Sequence, residues 1–284
     1  DPYDETKWIK ANPLLGITPT LVSMRAEAAD ARASPAAEGE FKTKRLNMWL
    51  NAASAWLNMT QWQSCGAEVS FEDFEGLECY IGADLSDKDD ITAVVLAALD
   101  TTGRLLLKPR FYLPKAAAET PRGMGPTYRM WANDGHLTLT EGDFIDQNIV
   151  EGDIEEWVKR FSVRRVVFDQ FGAAQAMASR LNEEHQGYDG GGIAVTLHKS
   201  AANVTDPAKE LEARVKAGQS QLRHDGSPIL SWMASNTVVS YRVDGSIIPK
   251  KEKPMSPNKI DGIDAAVNAL APMCNEIKEE SIYD

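Results

Sequence analysis

Histidine and cysteine are scarce in this chain, with four of the first and three of the second among 284 residues. Cys65, Cys79 and Cys274 show no CxxC spacing, and His136, His185, His198 and His224 are scattered without metal-ligand intervals. That excludes a structural zinc site and fits a reducing compartment. No stretch approaches the roughly 20 consecutive apolar residues of a membrane span, and no charged-then-apolar signal segment opens the sequence. The expectation is a protein neither exported nor membrane-anchored. No GxxxxGK[ST] phosphate loop occurs, nor any internal repeat or low-complexity tract. Basic residues are also in deficit: 30 Lys and Arg stand against 42 Asp and Glu, for a net charge of -12. Broad non-specific affinity for nucleic acid is therefore disfavoured, because such binding is driven largely by counterions that Lys and Arg displace. Lys250, Lys251, Lys253 and Lys259 read either as a solvated loop or as a local basic patch that softens this deficit.

What is present is a chain that is 43% hydrophobic, enough to bury the core of one large domain or of one domain with an appendage. Residues 1–75 read as a helical lead-in. It carries Trp8, an Asn12-Pro13 turn, an Ala-, Glu- and Arg-rich helix over 20–33, and a second helix over 41–57. Phe41, Leu46, Trp49, Leu50 and Trp56 fall at near-helical spacing in that second helix, as a packing surface. From residue 78 the pattern changes. Three strands, at 79–85, 91–99 and 104–113, are joined by short turns and imply an antiparallel meander. Residues 114–142 are rich in Pro and Gly and read as an irregular excursion with a short helix near 128–133, before an amphipathic helix over 143–161. A strand over 164–169, a helix over 173–184 and a strand over 194–197 then form a βαβ unit, the signature of a parallel arrangement. A helix is expected to start at Asp206-Pro207, two strands flank Asp244-Gly245, and a last helix covers 260–276.

Two of these strands end on an aspartate. The stretch ECYIGADLSDKDD delivers Asp84 at the end of the first strand, and RRVVFD delivers Asp169 at the end of the βαβ strand. In open α/β sheets ligands sit beyond the carboxyl ends of strands. Asp261 and Asp264 lie one turn apart on the last helix. An aspartate at a strand end is on its own more often a turn or cap residue than a ligand; Asp87 and Asp89 fit turn chemistry, as does Asp90, which stays a weaker ligand candidate. Brought together, however, carboxylates repel by roughly 4 kcal/mol per pair at about 4 Å and an effective dielectric near 20, so something positive must compensate. Without a His or Cys cluster, hard oxygen ligands select Mg²⁺ or Mn²⁺. Two such ions about 4 Å apart support phosphodiester hydrolysis.

The meander with Asp on its first strand, the later parallel strand with Asp and the C-terminal helix with Asp together resemble the ribonuclease H-like fold: α/β, a mixed sheet flanked by helices. YIGADLS with DDITA, VVFDQFG, LRHDGSPILSWMASN and KIDGIDAAVNAL resemble more specifically the nuclease domain of the large terminase subunit of tailed double-stranded-DNA bacteriophages. The match covers residues 78–275, and Asn12-Pro13 and Leu46-Asn47-Met48-Trp49 look like that family's inter-domain segment.

The resemblance implies a lead-in over 1–75 and a nuclease domain over 76–284. It implies an endonuclease that cuts concatemeric DNA during viral genome packaging in the host cell cytoplasm, with double-stranded DNA, the portal and the small terminase subunit as partners. Asp84 and Asp169 fit the first two acidic positions. For the third, Lys259-Ile260-Asp261-Gly262 matches the family's pattern and favours Asp261, whereas Asp264 lies about 80° from the apolar stripe against about 140° for Asp261. Both stay as candidates. Complete members begin with a packaging ATPase, so the missing phosphate loop implies a chain without that ATPase domain. Competing readings are an actin- or sugar-kinase-like ATPase, whose first strand also reads like IGADLS but whose phosphate-binding turn would not be acidic; a junction resolvase or transposase; and a non-catalytic packaging docking module.

Overall fold

The computed structural model of the chain describes residues 2–33, 38, 41–48, 55–86, 90–170, 173–188, 190–242, 244–253 and 256–274. In chain order the helices are α1 Glu5–Ala11, α2 Leu21–Ala33, α3 Met59–Ser64, α4 Lys115–Glu119, α5 Gly125–Asn133, α6 Gln147–Arg160, α7 Ala174–Glu184, α8 Ala201–Ala217, α9 Pro228–Asn236 and α10 Asp261–Cys274. The strands are β1 Glu78–Asp84, β2 Thr92–Leu99, β3 Leu105–Pro114, β4 Thr138–Thr140, β5 Ser162–Asp169, β6 Ala194–Leu197, β7 Leu222–His224, β8 Thr237–Tyr241 and β9 Ile247–Lys251.

The main sheet has the order β4-β3-β2-β1-β5-β6, with β7 on the other end of β3. β1, β2 and β3 form the expected antiparallel meander. β5 runs parallel to β1, and β6 parallel to β5, as the βαβ pattern requires. β2, TAVVLAAL, is buried along both faces except at Leu99, the near-continuous apolar run of a strand covered on two sides. Its alternate residues separate two cores. Ala93, Val95 and Ala97 pack with Leu211, Met233, Ile263 and Leu270 of α8, α9 and α10. Val94 and Leu96 pack with Ile154, Trp157, Met177 and Leu181 of α6 and α7. The period-2 alternation of the strand thus builds a helix–sheet–helix sandwich.

Gly82 fixes how closely α10 approaches the sheet. A Cβ there would lie 2.0 Å from the Ala265 carbonyl oxygen and 2.3 Å from the Ala269 nitrogen, so helix backbone rests directly on β1. The Asn268 side-chain amide donates to the Ala83 carbonyl at 3.1 Å, pinning the helix beside the residue that precedes Asp84.

Several expectations need correction. A continuous helix over 41–57 does not form. Phe41–Arg45 makes one π-helical turn, and Asn47 takes a left-handed backbone at φ 52°, which asparagine tolerates but which ends a helix. Trp49 and Leu50 lie outside the described residues. Phe41 joins Trp8, Met24, Ala28 and Ala31 in a small separate core, whereas Trp56, Leu57, Trp62 and Cys65 pack in the core of the main sheet. The excursion over 114–142 is more regular than its composition suggests: it holds α4, α5 and β4, the last pairing with Tyr112–Pro114 of β3. α8 starts at Ala201, not at Asp206, with Pro207 in its interior. The lost backbone bond costs about 3 kcal/mol, offset by burial of Pro207 with Val204, Ala208 and Leu211. Among the described residues no helix is long and apolar enough to cross a membrane.

Candidate active site

Neighbouring parallel strands bring Asp84 and Asp169 to one edge of the sheet, with Ala83 opposite Phe168 in register. Behind Asp84 the chain is braced. Ser86 N–H donates to the Thr92 hydroxyl at 2.8 Å, and the Gln147 amide donates to the Ser86 carbonyl at 3.0 Å. Asp169 Oδ1 accepts from the Gln170 N–H at 2.6 Å. β6 ends opposite Asp169, with Leu197 its partner, and so delivers His198 and Lys199 to the same edge. The first turn of α10, set against β1 at Gly82, supplies Asp261 and Asp264, which are 6% and 8% exposed.

Asp84 therefore interacts with each of the other three aspartates singled out in the sequence, and Asp264 with both Asp169 and Asp261. Burial raises Asp84 well above the usual carboxylate range, and Asp261, Asp264 and Asp169 push it further against the opposing pull of Lys199. Asp264 is raised by burial and by Asp169, with Lys199 opposing. Burial pushes Asp261 up to about 6, partly countered by Lys251 and Lys259 while Asp264 adds to the rise. Asp169 is raised by burial alone, and the Gln170 N–H, Lys199 and His198 moderate it. A group of buried and half-buried acids whose proton affinities all rise is one short of positive charge.

The amphipathic argument does not separate Asp261 from Asp264, because every residue of α10 from Asp261 to Ala271 is buried. The sheet, α8 and α9 cover the helix from several sides. The two differ in their cations instead. Asp264 Oδ2 is ion-paired with Lys199, while Asp261 Oδ1 is 4.0 Å from the Lys251 ammonium. Lys251 also binds Asp90 at 3.1 Å, and Lys259 pairs with the same carboxylate. The lysine run is thus no uniform solvated loop. Lys251 ends β9 and Lys259 precedes α10, both beside the acids, whereas Lys250 and Lys253 are exposed. The acidic turn residues Asp87 and Asp89, with Lys88, lie outside the described residues. His224 is a packing residue: its ring stacks on Trp62 at 4.4 Å between centroids, and its Nε2 lies 2.9 Å from the Trp62 carbonyl.

Lys199 was not anticipated from the sequence. The signal that could have found it is the one that found Asp84 and Asp169, since LHKS follows the apolar run of a parallel strand.

Among the described residues no three His, Cys, Asp or Glu side chains stand together as a ready metal cage. The donor set nonetheless suits a hard divalent cation. It consists of carboxylate oxygens alone, and Asp261 Oδ2 is buried with no hydrogen-bond partner among the described residues, an arrangement that costs about 1–3 kcal/mol or more unless something positive meets it.

A mixed sheet of this order, with acids at the ends of two adjacent parallel strands and on the helix laid across them, defines a ribonuclease H-like α/β domain. The chain matches the family described as terminase large subunit, endonuclease domain, over residues 1–276, and it belongs to that family. It is 29% identical over 285 residues to Protein YmfN of Escherichia coli K12, and 28% identical over 278 residues to the terminase large subunit of Enterobacteria phage HK97. The matches cover 97% and 96% of this chain but 61% and 52% of those relatives, so the chain spans little more than half their length. The crystal structure of the HK97 bacteriophage large terminase superposes with a TM-score of 0.65 at 24% identity, over 96% of this chain and 55% of that one.

Proposed function

We propose that the chain is a metal-dependent DNA endonuclease that cuts concatemeric viral DNA during genome packaging. The observation that carries this reading is the convergence of Asp84, Asp169, Asp261 and Asp264 at one sheet edge, the last two buried and the first two half-buried, with their proton affinities raised together. Family membership supports the nuclease class. Two Mg²⁺ or Mn²⁺ ions held by these four carboxylates would supply an activated water and stabilise the leaving oxygen of a phosphodiester. Asp84, with Asp169 beside it and α10 across from it, would be the central residue of the set that holds them.

The chain's own part is to hold four acids assembled and oriented at one end of the parallel strands. Gly82 and Asn268 set the height of α10 over β1, and Thr92 and Gln147 hold Ser86, two residues after Asp84. Lys199, Lys251 and Lys259 offset part of the negative charge of the acids, and the bound ions would supply the rest that a chain of net charge -12 needs to approach a phosphate backbone. In this reading residues 1–75 lead into a nuclease unit over 76–284. Double-stranded DNA is the substrate, and the ATPase domain, the portal and the small terminase subunit act with it in the host cell cytoplasm.

Supercoiled plasmid incubated with the purified protein and Mn²⁺ or Mg²⁺ tests this. Nicking or linearisation is expected, with loss of both on chelation and in Asp84→Asn and Asp169→Asn. Cleavage that survives either substitution would sink the assignment.

A further inference from the structure

We propose that Lys199 is the built-in counter-cation of the carboxylate cluster, its ammonium holding Asp264 where a divalent ion would otherwise sit, so that metal loading must displace it. The inference rests on the metal-dependent reading of the site and adds a competitor that this reading does not require.

Three observations converge on the lysine. It reaches the site from the end of β6, the third parallel strand on the edge that carries Asp84 and Asp169. Its Nζ is ion-paired with Asp264 Oδ2, the side chains being 26% and 10% exposed, and it also interacts with Asp84 and Asp169. The other nearby lysines are engaged elsewhere: Lys251 and Lys259 hold Asp90 and flank Asp261. Among the described residues Lys199 is therefore the main positive charge facing Asp84, Asp169 and Asp264, with His198 beside it near Asp169 and Lys251 acting more weakly on Asp264.

A single ammonium cannot satisfy three carboxylates, of which Asp264 is buried and Asp84 and Asp169 are half-buried. A divalent ion brings twice the charge, yet it must take Asp264 from a lysine already in contact. The flexible four-carbon stem lets that ammonium swing outward, and its partial exposure gives it somewhere to go. The arrangement keeps the acids assembled without metal and lowers metal affinity as a consequence.

Isothermal titration of Mn²⁺ into the purified, chelator-treated chain reads this directly, with melting temperature recorded with and without Mn²⁺. In Lys199→Met the Mn²⁺ dissociation constant should fall by about tenfold, in the range of ordinary coupling between two sites. The metal-free melting temperature should drop, and Mn²⁺ should raise it by more than in the parent. Lys199→Arg, which keeps the charge, should bind Mn²⁺ as the parent does. If Lys199→Met does not fold without metal, Lys199→Gln carries the same comparison. Equal or weaker Mn²⁺ binding in the neutral variants overturns the proposal and makes Lys199 a purely structural ion-pair partner, while the metal reading stands. No Mn²⁺ binding by parent or variants removes the metal reading, and the proposal with it.

Discussion

Neutralising one acid of the cluster should stabilise the metal-free protein. In Asp261→Asn the side chain keeps its size and loses its charge. The rise of this carboxyl from 3.8 to about 6 corresponds to about 3 kcal/mol of disfavoured ionisation. That is an upper bound on the gain, because the amide must still be accommodated where Oδ2 has no partner. At a few degrees per kcal/mol for a chain of this size, the melting temperature at pH 7.5 should rise by up to about 6 °C. The pH dependence follows from the direction of the shift. The folded chain holds this proton more tightly than the unfolded chain, so the native state binds more protons between the two values. The contribution is therefore fully present below pH 3.8 and is lost as pH rises through about 6. The advantage of Asp261→Asn over the parent should accordingly be greatest above pH 6 and vanish near pH 4. Paired thermal melts in chelator across pH 4 to 8 measure it. A variant that is less stable than its parent at pH 7.5, or whose difference does not change with pH, would refute the electrostatic reasoning.

Gly82→Ala should be severely destabilising, by about 3 kcal/mol or more, because its Cβ would meet backbone atoms of Ala265 and Ala269 that cannot swing aside; chemical denaturation should show it, together with loss of plasmid cleavage. Asn268→Ala removes the bond to the Ala83 carbonyl and should cost about 1–2 kcal/mol, with cleavage reduced because β1 and α10 lose their tie beside Asp84. Burial lowers the proton affinity of His224, so its stabilising contribution is present above the unfolded value of 6.5 and lost as pH falls through its lower folded value. His224→Phe keeps a ring against Trp62, and its melting temperature should decline less than the parent's between pH 6.5 and 5.

The sheet was legible because its strands announce themselves locally. TAVVLAAL is apolar throughout, VVFD and YIGAD end on acids, and the glycines and short turns between them set the meander. Asp84 and Asp169 could be placed at one edge from strand order alone, since parallel neighbours share an end. Other features depend on packing that no local pattern carries. Asn47 ends what looks like a continuous helix through its backbone conformation. Pro207 reads as a helix start but is held inside α8 by burial. The choice between Asp261 and Asp264 was posed as one of helical face, whereas α10 is enclosed on all sides and the two acids differ by their lysines. Lys199 carries no local mark of its role, which depends on β6 lying beside β5 and on α10 bringing Asp264 to its ammonium.

The most direct test of the site is a crystal of the chain soaked in Mn²⁺ and measured for anomalous scattering. The account predicts peaks in contact with Asp84 and Asp169, and with at least one of Asp261 and Asp264. Manganese found only away from these carboxylates, or none bound at all, would contradict it.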